Sequence, residues 1–183
     1  LIMGILSTVN DYSFQVSQVD TLSKGLTYLS ENQVDATLID LGLPDSVGLN
    51  ALEKINDQHP TIPHIVLTGL DSDELGQEAV KRGAQDYLQK GMLNSAMLSR
   101  VLRYAIERKL AELEQQRSYT LFAAIMEGTP DIIFVKDDQG RYVVSNPARN
   151  QALNLSEAEV LGKDDTAFYP PETAQTLMEA DRQ

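Results

Sequence analysis

Val34-Asp35-Ala36-Thr37-Leu38-Ile39-Asp40-Leu41-Gly42-Leu43-Pro44-Asp45 is a short apolar run that ends in a carboxylate and breaks at once into a Gly/Pro loop. A strand covered by helices on both faces is nearly continuously apolar, and Ala36, Leu38 and Ile39 fit that pattern better than strict alternation. In open parallel α/β sheets, ligands and chemistry collect in the crevice beyond the carboxyl ends of the strands. The pattern therefore predicts that Asp40 is delivered to such a crevice. An isolated Asp after a strand starts a turn or caps the next helix just as readily, so the neighbouring strands decide.

Ile62-Pro63-His64-Ile65-Val66-Leu67-Thr68-Gly69 reads as a second buried strand, ending in a hydroxyl followed by a residue too small to block access to it. Gly83-Ala84-Gln85-Asp86-Tyr87-Leu88-Gln89-Lys90-Gly91 reads as a third, ending in an ammonium. A carboxylate acts as a nucleophile toward phosphorus, and a phosphoryl group placed on it needs cationic and hydrogen-bonding neighbours for its oxygens. Lys90 and Thr68 are of the right kind.

Asp40, Pro44, Gly48, Thr68, Tyr87 and Lys90, each at the matching place in this alternation, together resemble the receiver domain of two-component response regulators, over roughly residues 1 to 110. The resemblance implies a flavodoxin-like, doubly wound parallel sheet of order 2-1-3-4-5. It implies Asp40 as phosphoacceptor, Thr68 and Lys90 as phosphoryl-binding groups, and Thr68 with Tyr87 as the switch. It also implies a histidine kinase or phosphotransfer protein as partner, and Mg²⁺ held by Asp40, the Gly42 backbone carbonyl and an acidic pair. In the family, that pair and a central strand precede the first helix. Residues 1 to 10 place Leu1, Ile2, Ile5, Leu6 and Val9 at helical spacing from the outset, so the first strand and its acids are expected to be missing and the domain N-terminally incomplete.

In chain order, Phe14 to Asp20 alternates as a strand, and Thr21 caps a helix carrying Leu22, Leu26 and Leu29. Leu49, Leu52 and Ile55 mark the next helix, closed by His59-Pro60. Asp71-Ser72-Asp73 opens another that runs to Gly83, with acids at its positive end. Strands alternating with helices give an α/β class with a parallel sheet. His59 and His64 sit at a helix end and on a strand, where structural roles are expected. From Met92 the pattern stays helical, defining a connecting signalling helix over 92–127 that overlaps the last receiver helix. Leu102, Ile106, Leu110 and Leu113 make a narrow stripe ringed by charge, which suits a homodimeric coil.

Residues 128–183 begin a second domain. Ile132 to Lys136 and Arg141 to Ser145 are strand-like runs across Asp137-Asp138-Gln139-Gly140, a hairpin signal. Helical pieces follow at Pro147 to Leu155 and Ser156 to Leu161, the second with Ser156 and Glu159 in capping-box spacing. Through Lys136-Asp137, Gly140-Arg141-Tyr142, Asn146, Gly162-Lys163-Asp164 and Phe168-Tyr169-Pro170-Pro171-Glu172 this part resembles the front half of a PAS sensor domain. Phe134, Tyr142 and Phe168 are its candidate pocket residues, and aromatics so placed serve equally as plain core. No histidine or cysteine follows His64, leaving no His ligand for haem and no thiol for a flavin adduct. A small organic ligand, or none, is expected.

A net charge of −12 argues against general nucleic-acid binding, which needs clustered Lys and Arg. No apolar run reaches the roughly 18 to 20 residues of a membrane span, and the absence of cysteine fits a cytoplasmic protein. Three classes compete. One is a phosphorelay module passing its state through a helix to a PAS domain. Another is the front of a hybrid histidine kinase or diguanylate cyclase. The last is a pseudo-receiver that only binds protein. A haloacid dehalogenase-type hydrolase wants a second acid two residues after the first, where this chain has Gly42.

Overall fold

Three short strands, β1 (Thr37–Asp40), β2 (His64–Thr68) and β3 (Asp86–Gln89), form a parallel sheet in the order β1-β2-β3, as the alternating pattern requires. The computed structural model describes residues 4–5, 14–69 and 73–181. Within them the chain divides into two compact units, Leu1–Glu114 and Gln115–Gln183. The helix expected over residues 1–10 lies outside the described residues except at Gly4 and Ile5, which are helical.

Parallel strands cannot be joined by tight turns, and here helices make the crossovers. The crossovers are α2 (Asn50–Gln58) and α3 (Asp73–Lys81), and α1 (Leu22–Glu31) lies ahead of the sheet. Register pairs Asp40 with Leu67 and Thr68 with Gln89, so all three strands end together at one edge. The sheet has two buried faces, which is why its strands read as apolar throughout. Ile39, Val66 and Tyr87 pack with Leu22, Leu52, Ile55 and Ala79 on the α1–α3 side. Ile65, Leu67 and Leu88 pack with Leu98, Val101, Leu102 and Ala105 on the other. Leu52 and Ile65 have no exposed surface; burying such a side chain contributes about 1.5–3 kcal/mol, and truncating one to Ala costs about 2–5 kcal/mol.

Thr21 caps α1 as its sequence position implies, its Oγ1 accepting the Lys24 N–H at 3.3 Å. A second cap comes from far away. The Asp45 carboxylate, in the loop after β1, accepts the N–H groups of Leu22 at 2.7 Å and Ser23 at 3.0 Å. Those bonds hold the Asp45 carboxyl below its ordinary range, and the anion sits where the helix dipole favours it. Gly48, at φ 57°, takes the left-handed turn that leads this loop into α2.

Two expectations need correction. Phe14 to Asp20 forms no strand: its alternation is real, and Phe14 and Val16 turn apolar side chains to the core, but no described strand lies beside it to complete a ladder. Leu102 does not belong to an exposed stripe. It is buried with Leu98, Val101 and Ala105 against the sheet, because the same three-and-four spacing serves a helix packing on its own domain.

After a 3₁₀ turn at Lys90–Met92, α4 runs unbroken from Ser95 to Gly128, 34 residues or about 51 Å at 1.5 Å per residue. Past the core, pairs such as Arg103–Glu107 (3.8 Å) and Arg108–Glu112 (3.0 Å) support it, each worth a few tenths of a kcal/mol. Leu110 is exposed and Leu113 half-buried. Among the described residues no helix is long and apolar enough to cross a membrane.

In the second unit, β4 (Phe134–Lys136) and β5 (Tyr142–Ser145) pair antiparallel with an irregularity between Val135 and Lys136. Asp137 Oδ1 accepts from Gln139 N–H and Arg141 N–H, and Gly140 at φ 78° closes the turn. Then come α5 (Pro147–Leu153), α6 (Glu157–Val160), a 3₁₀ turn (Asp165–Ala167) and α7 (Pro171–Ala180). Glu159 reaches back to the Ser156 N–H at 2.9 Å, as the capping spacing predicts. Buried Asn146 caps α5 through the Arg149 N–H, accepts from Ile133 N–H and donates to the Asp131 carbonyl.

Candidate functional site

Because β1 and β3 flank β2 and end level with it, Asp40 and Lys90 come within reach of each other across the crevice although 50 residues separate them. Lys90 Nζ lies 2.7 Å from Asp40 Oδ1 and 2.6 Å from Oδ2. Gly42 N–H donates to Oδ1 at 2.8 Å. Partial burial raises the Asp40 carboxyl, but the hydrogen bonds from Lys90 and Gly42, with the ammonium's charge, outweigh it and leave the group below its ordinary range. Both side chains of the pair keep about two-fifths of their surface in solvent, so the site is open.

Thr68 stands at the end of β2, buried, and its hydroxyl has no hydrogen-bond partner among the described residues. A buried hydroxyl without a partner is costly and rare. It shares strand parity with Val66, whose register partner is Tyr87. The hydroxyl and the ring therefore lie on the same face, one step apart along the sheet. The Tyr87 ring covers Gly76 of α3: a Cβ there would stand 2.2 Å from Cδ2 of the ring. Gly76 was not singled out in the sequence, where a mid-helix glycine reads only as a weak helix former.

His64 has the structural place expected of it. It is buried on β2, with Nδ1 2.8 Å from Thr37 Oγ1, and burial pushes its pKa down to about 4.

Of the Mg²⁺ ligands expected from the sequence, Asp40 and Gly42 lie side by side, joined by the Gly42 N–H bond to Oδ1. No group of three or more His, Asp or Glu side chains converges among the described residues, and Lys90 already engages both Asp40 oxygens. Mg²⁺ demands near-octahedral oxygen ligation, so these residues do not complete a site for it.

The aromatic residues of the second unit do come together. Tyr142 lies edge-on to Phe134 at 5.3 Å and to Phe168 at 5.8 Å. Tyr142 is fully buried and donates its hydroxyl to Asp165; burial, then that carboxylate, push its pKa up to about 12. Lys136 bridges Asp165 and Asp181, each at 2.5 Å. Burial lowers the Lys136 ammonium, and the two carboxylates more than reverse that. Sequence reading took Lys136 and Tyr142 as family marks and missed that they share one buried acid. The signal available was the 29-residue spacing of Lys136 and Asp165, which carries no meaning before the fold is known.

The response regulator receiver domain family matches residues 1–102. The chain belongs to that family. A PAS fold follows over residues 126–183. The chain is 29% identical over 108 residues to the transcriptional regulatory protein PhoP of Escherichia coli K12, covering 59% of this chain and 48% of that protein. It is 31% identical over 108 residues to the DNA-binding transcriptional regulator NtrC of Proteus hauseri, covering 59% and 22% respectively. Among solved structures it resembles the receiver domain of NtrX from Brucella abortus, at 27% identity and TM-score 0.52, covering 58% of this chain and 87% of that one. Against a longer NtrX structure the TM-score is 0.56 at 26% identity, covering 64% and 26%. The chain spans at most about half the length of these curated relatives. The three parallel strands, the helices that flank them and the long helix over 95–128 are thus those of a flavodoxin-like receiver, leading into a PAS fold, and the homology supports phosphorelay signalling.

Proposed function

We propose that this chain is the receiver and PAS portion of a cytoplasmic phosphorelay protein in which Asp40 accepts a phosphoryl group from a partner histidine kinase or phosphotransfer protein. The observation that carries this reading is Lys90 Nζ seated on both Asp40 oxygens at the strand ends. Oδ1 is held by Gly42 N–H as well as Lys90, whereas among the described residues Oδ2 has Lys90 alone, so Oδ2 is the attacking atom. It forms the new O–P bond as the P–N bond to the donor imidazole breaks, the electron pair returning to that nitrogen. Lys90 then follows the charge onto the phosphoryl oxygens, and Thr68 turns its partnerless hydroxyl to them. Tyr87, on the same face, reports the change. Asp40 and the Gly42 carbonyl are the ligands this chain offers toward the Mg²⁺ that receivers use.

The receiver is assigned to residues 1–110, the connecting helix to 92–127 and the PAS region to 128–183. The helix carries the state onward and pairs with a second copy through Ile106, Leu110 and Leu113. Phe134, Tyr142 and Phe168 line the place for a small organic ligand. A kinase or cyclase output elsewhere in a longer protein is compatible with this reading; a protein-binding pseudo-receiver that is never phosphorylated is the alternative to it.

The test is Mg²⁺-dependent labelling by acetyl phosphate, read by intact mass, on the parent and on an Asp40 variant. Asp40→Asn should abolish labelling, since an amide is neither anion nor nucleophile. Undiminished labelling of the Asn variant would remove Asp40 from the mechanism.

A further inference from the structure

Arg149 is a buried cation that the signalling reading leaves unused. It lies on α5, 4% exposed, in a position facing the hairpin. Its guanidinium carbon stands 4.1 Å from the centre of the Tyr142 ring and 4.7 Å from that of Phe134. Rings offer a cation their faces but accept nothing from its in-plane N–H groups. Nε and Nη2 are both buried, and neither has an acceptor among the described residues. These two atoms form one edge of the guanidinium, with parallel N–H bonds spaced to match the two oxygens of a carboxylate.

The surrounding charges narrow the anion. Lys136 is already satisfied by Asp165 and Asp181, and Asp165 is further engaged by Tyr142. That leaves Arg149 with no ion-pair partner among the described residues, beside the rings of Phe134 and Tyr142, which Lys136 Nζ also approaches to 5.5 and 4.6 Å. A single negative charge matches it; a dianion would bring an excess into a site with no second free cation among the described residues. Of the two rings against the guanidinium Phe134 is 39% exposed, and it suits an apolar body on the ligand.

We propose that the PAS unit binds an apolar monocarboxylate, its carboxylate forked onto Arg149 Nε and Nη2 and its body against Phe134. This rests on the reading of that unit as a ligand site and names the ligand's chemical class. It also explains why a charged side chain is kept where a methionine would pack without cost: the unliganded state bears an unpaired buried charge that binding relieves.

The test uses the whole chain, ¹⁵N-labelled, with benzoate and butyrate as probes and benzamide, butyramide and phenyl phosphate as controls. At least one monocarboxylate should move the Arg149 Nε–H signal downfield, saturably, and bind at least tenfold more weakly to Arg149→Met and to Arg149→Lys, which keeps the charge but loses the fork. Arg149→Met should melt no lower than the parent without ligand, showing that the loss is not unfolding. No shift of the Nε–H with either carboxylate, or equal affinity for the Met variant, overturns the proposal. Tighter binding of phenyl phosphate than of benzoate overturns the choice of a monoanion. Amides that bind parent and Met variant alike leave the ligand site standing while the carboxylate inference falls, whereas binding of no probe, charged or neutral, removes both.

Discussion

Tyr87 and Gly76 are fitted to each other: the aromatic ring occupies the volume that any side chain at Gly76 would need, its Cδ2, Cε2 and Cγ all within 2.6 Å of where a Cβ would be. The ring's inward position is thus permitted by one missing methyl group on α3.

Gly76→Ala should therefore drive the ring out of its seat. Helix propensity favours alanine by about 1 kcal/mol, while overpacking costs about 1–3 kcal/mol; net stability falls by about 0–2 kcal/mol, and the Tyr87 ring signals move. Unchanged Tyr87 ring shifts in the variant would show that the backbone of α3 yields instead.

Lys90→Ala separates site chemistry from stability. The Asp40–Lys90 pair is well exposed, and such pairs contribute about 0–1 kcal/mol, so unfolding by urea should change by no more than that while phosphoryl transfer collapses. Because the folded Asp40 carboxyl lies below its ordinary value of 3.8, the pair's small stabilisation is fully present above that value and is lost as pH falls through the folded midpoint. Removing Lys90 should raise that midpoint, read from the Asp40 side-chain carbon signal. A midpoint that stays put would assign the shift to Gly42 alone.

His64 makes the fold acid-sensitive. Unfolded, it takes up a proton near 6.5; folded, only near 4. Between those values the unfolded state holds more protons, so stability drops as pH falls from about 6.5 to 4 and the loss is complete below that. From pH 7 to pH 5 this amounts to about 2 kcal/mol. His64→Phe should lose that much less than the parent over the same interval in urea titrations; parallel losses would mean that carboxylates elsewhere dominate.

Dimerisation through α4 is expected to depend on its exposed stretch only. Leu110→Glu should give monomer in sedimentation without lowering the melting point, since Leu110 is 61% exposed. Leu102→Glu should unfold the receiver, since Leu102 is core. Equal masses for the parent and the Leu110 variant would exclude this surface.

Much of the receiver could be read from the chain because its informative residues sit at strand ends, where a run of apolar residues stops at a carboxylate, a hydroxyl or an ammonium. Asp40, Thr68 and Lys90 were each visible that way, and register alone brings their strands level. What escaped depends on partners distant in sequence. Asp45 caps α1 from 22 and 23 residues away, and Gly76 matters only once Tyr87 covers it. Phe14 to Asp20 misled because alternation describes a surface and says nothing of a neighbour. Leu102 misled because helical spacing cannot tell a chain's own sheet from another molecule. Arg149 left no trace in the pattern at all, since an arginine on a short helix normally reaches solvent.

The 50-residue separation of Asp40 and Lys90 also sets a clock on biosynthesis. At a ribosomal rate of about 5–20 residues per second, Asp40 is made roughly 3–10 s before its ammonium exists. During that interval the nascent carboxylate has neither its cation nor the third strand beside it. No translation intermediate ending before Lys90 can carry the pair, which forms only once β3 has been synthesised and docked.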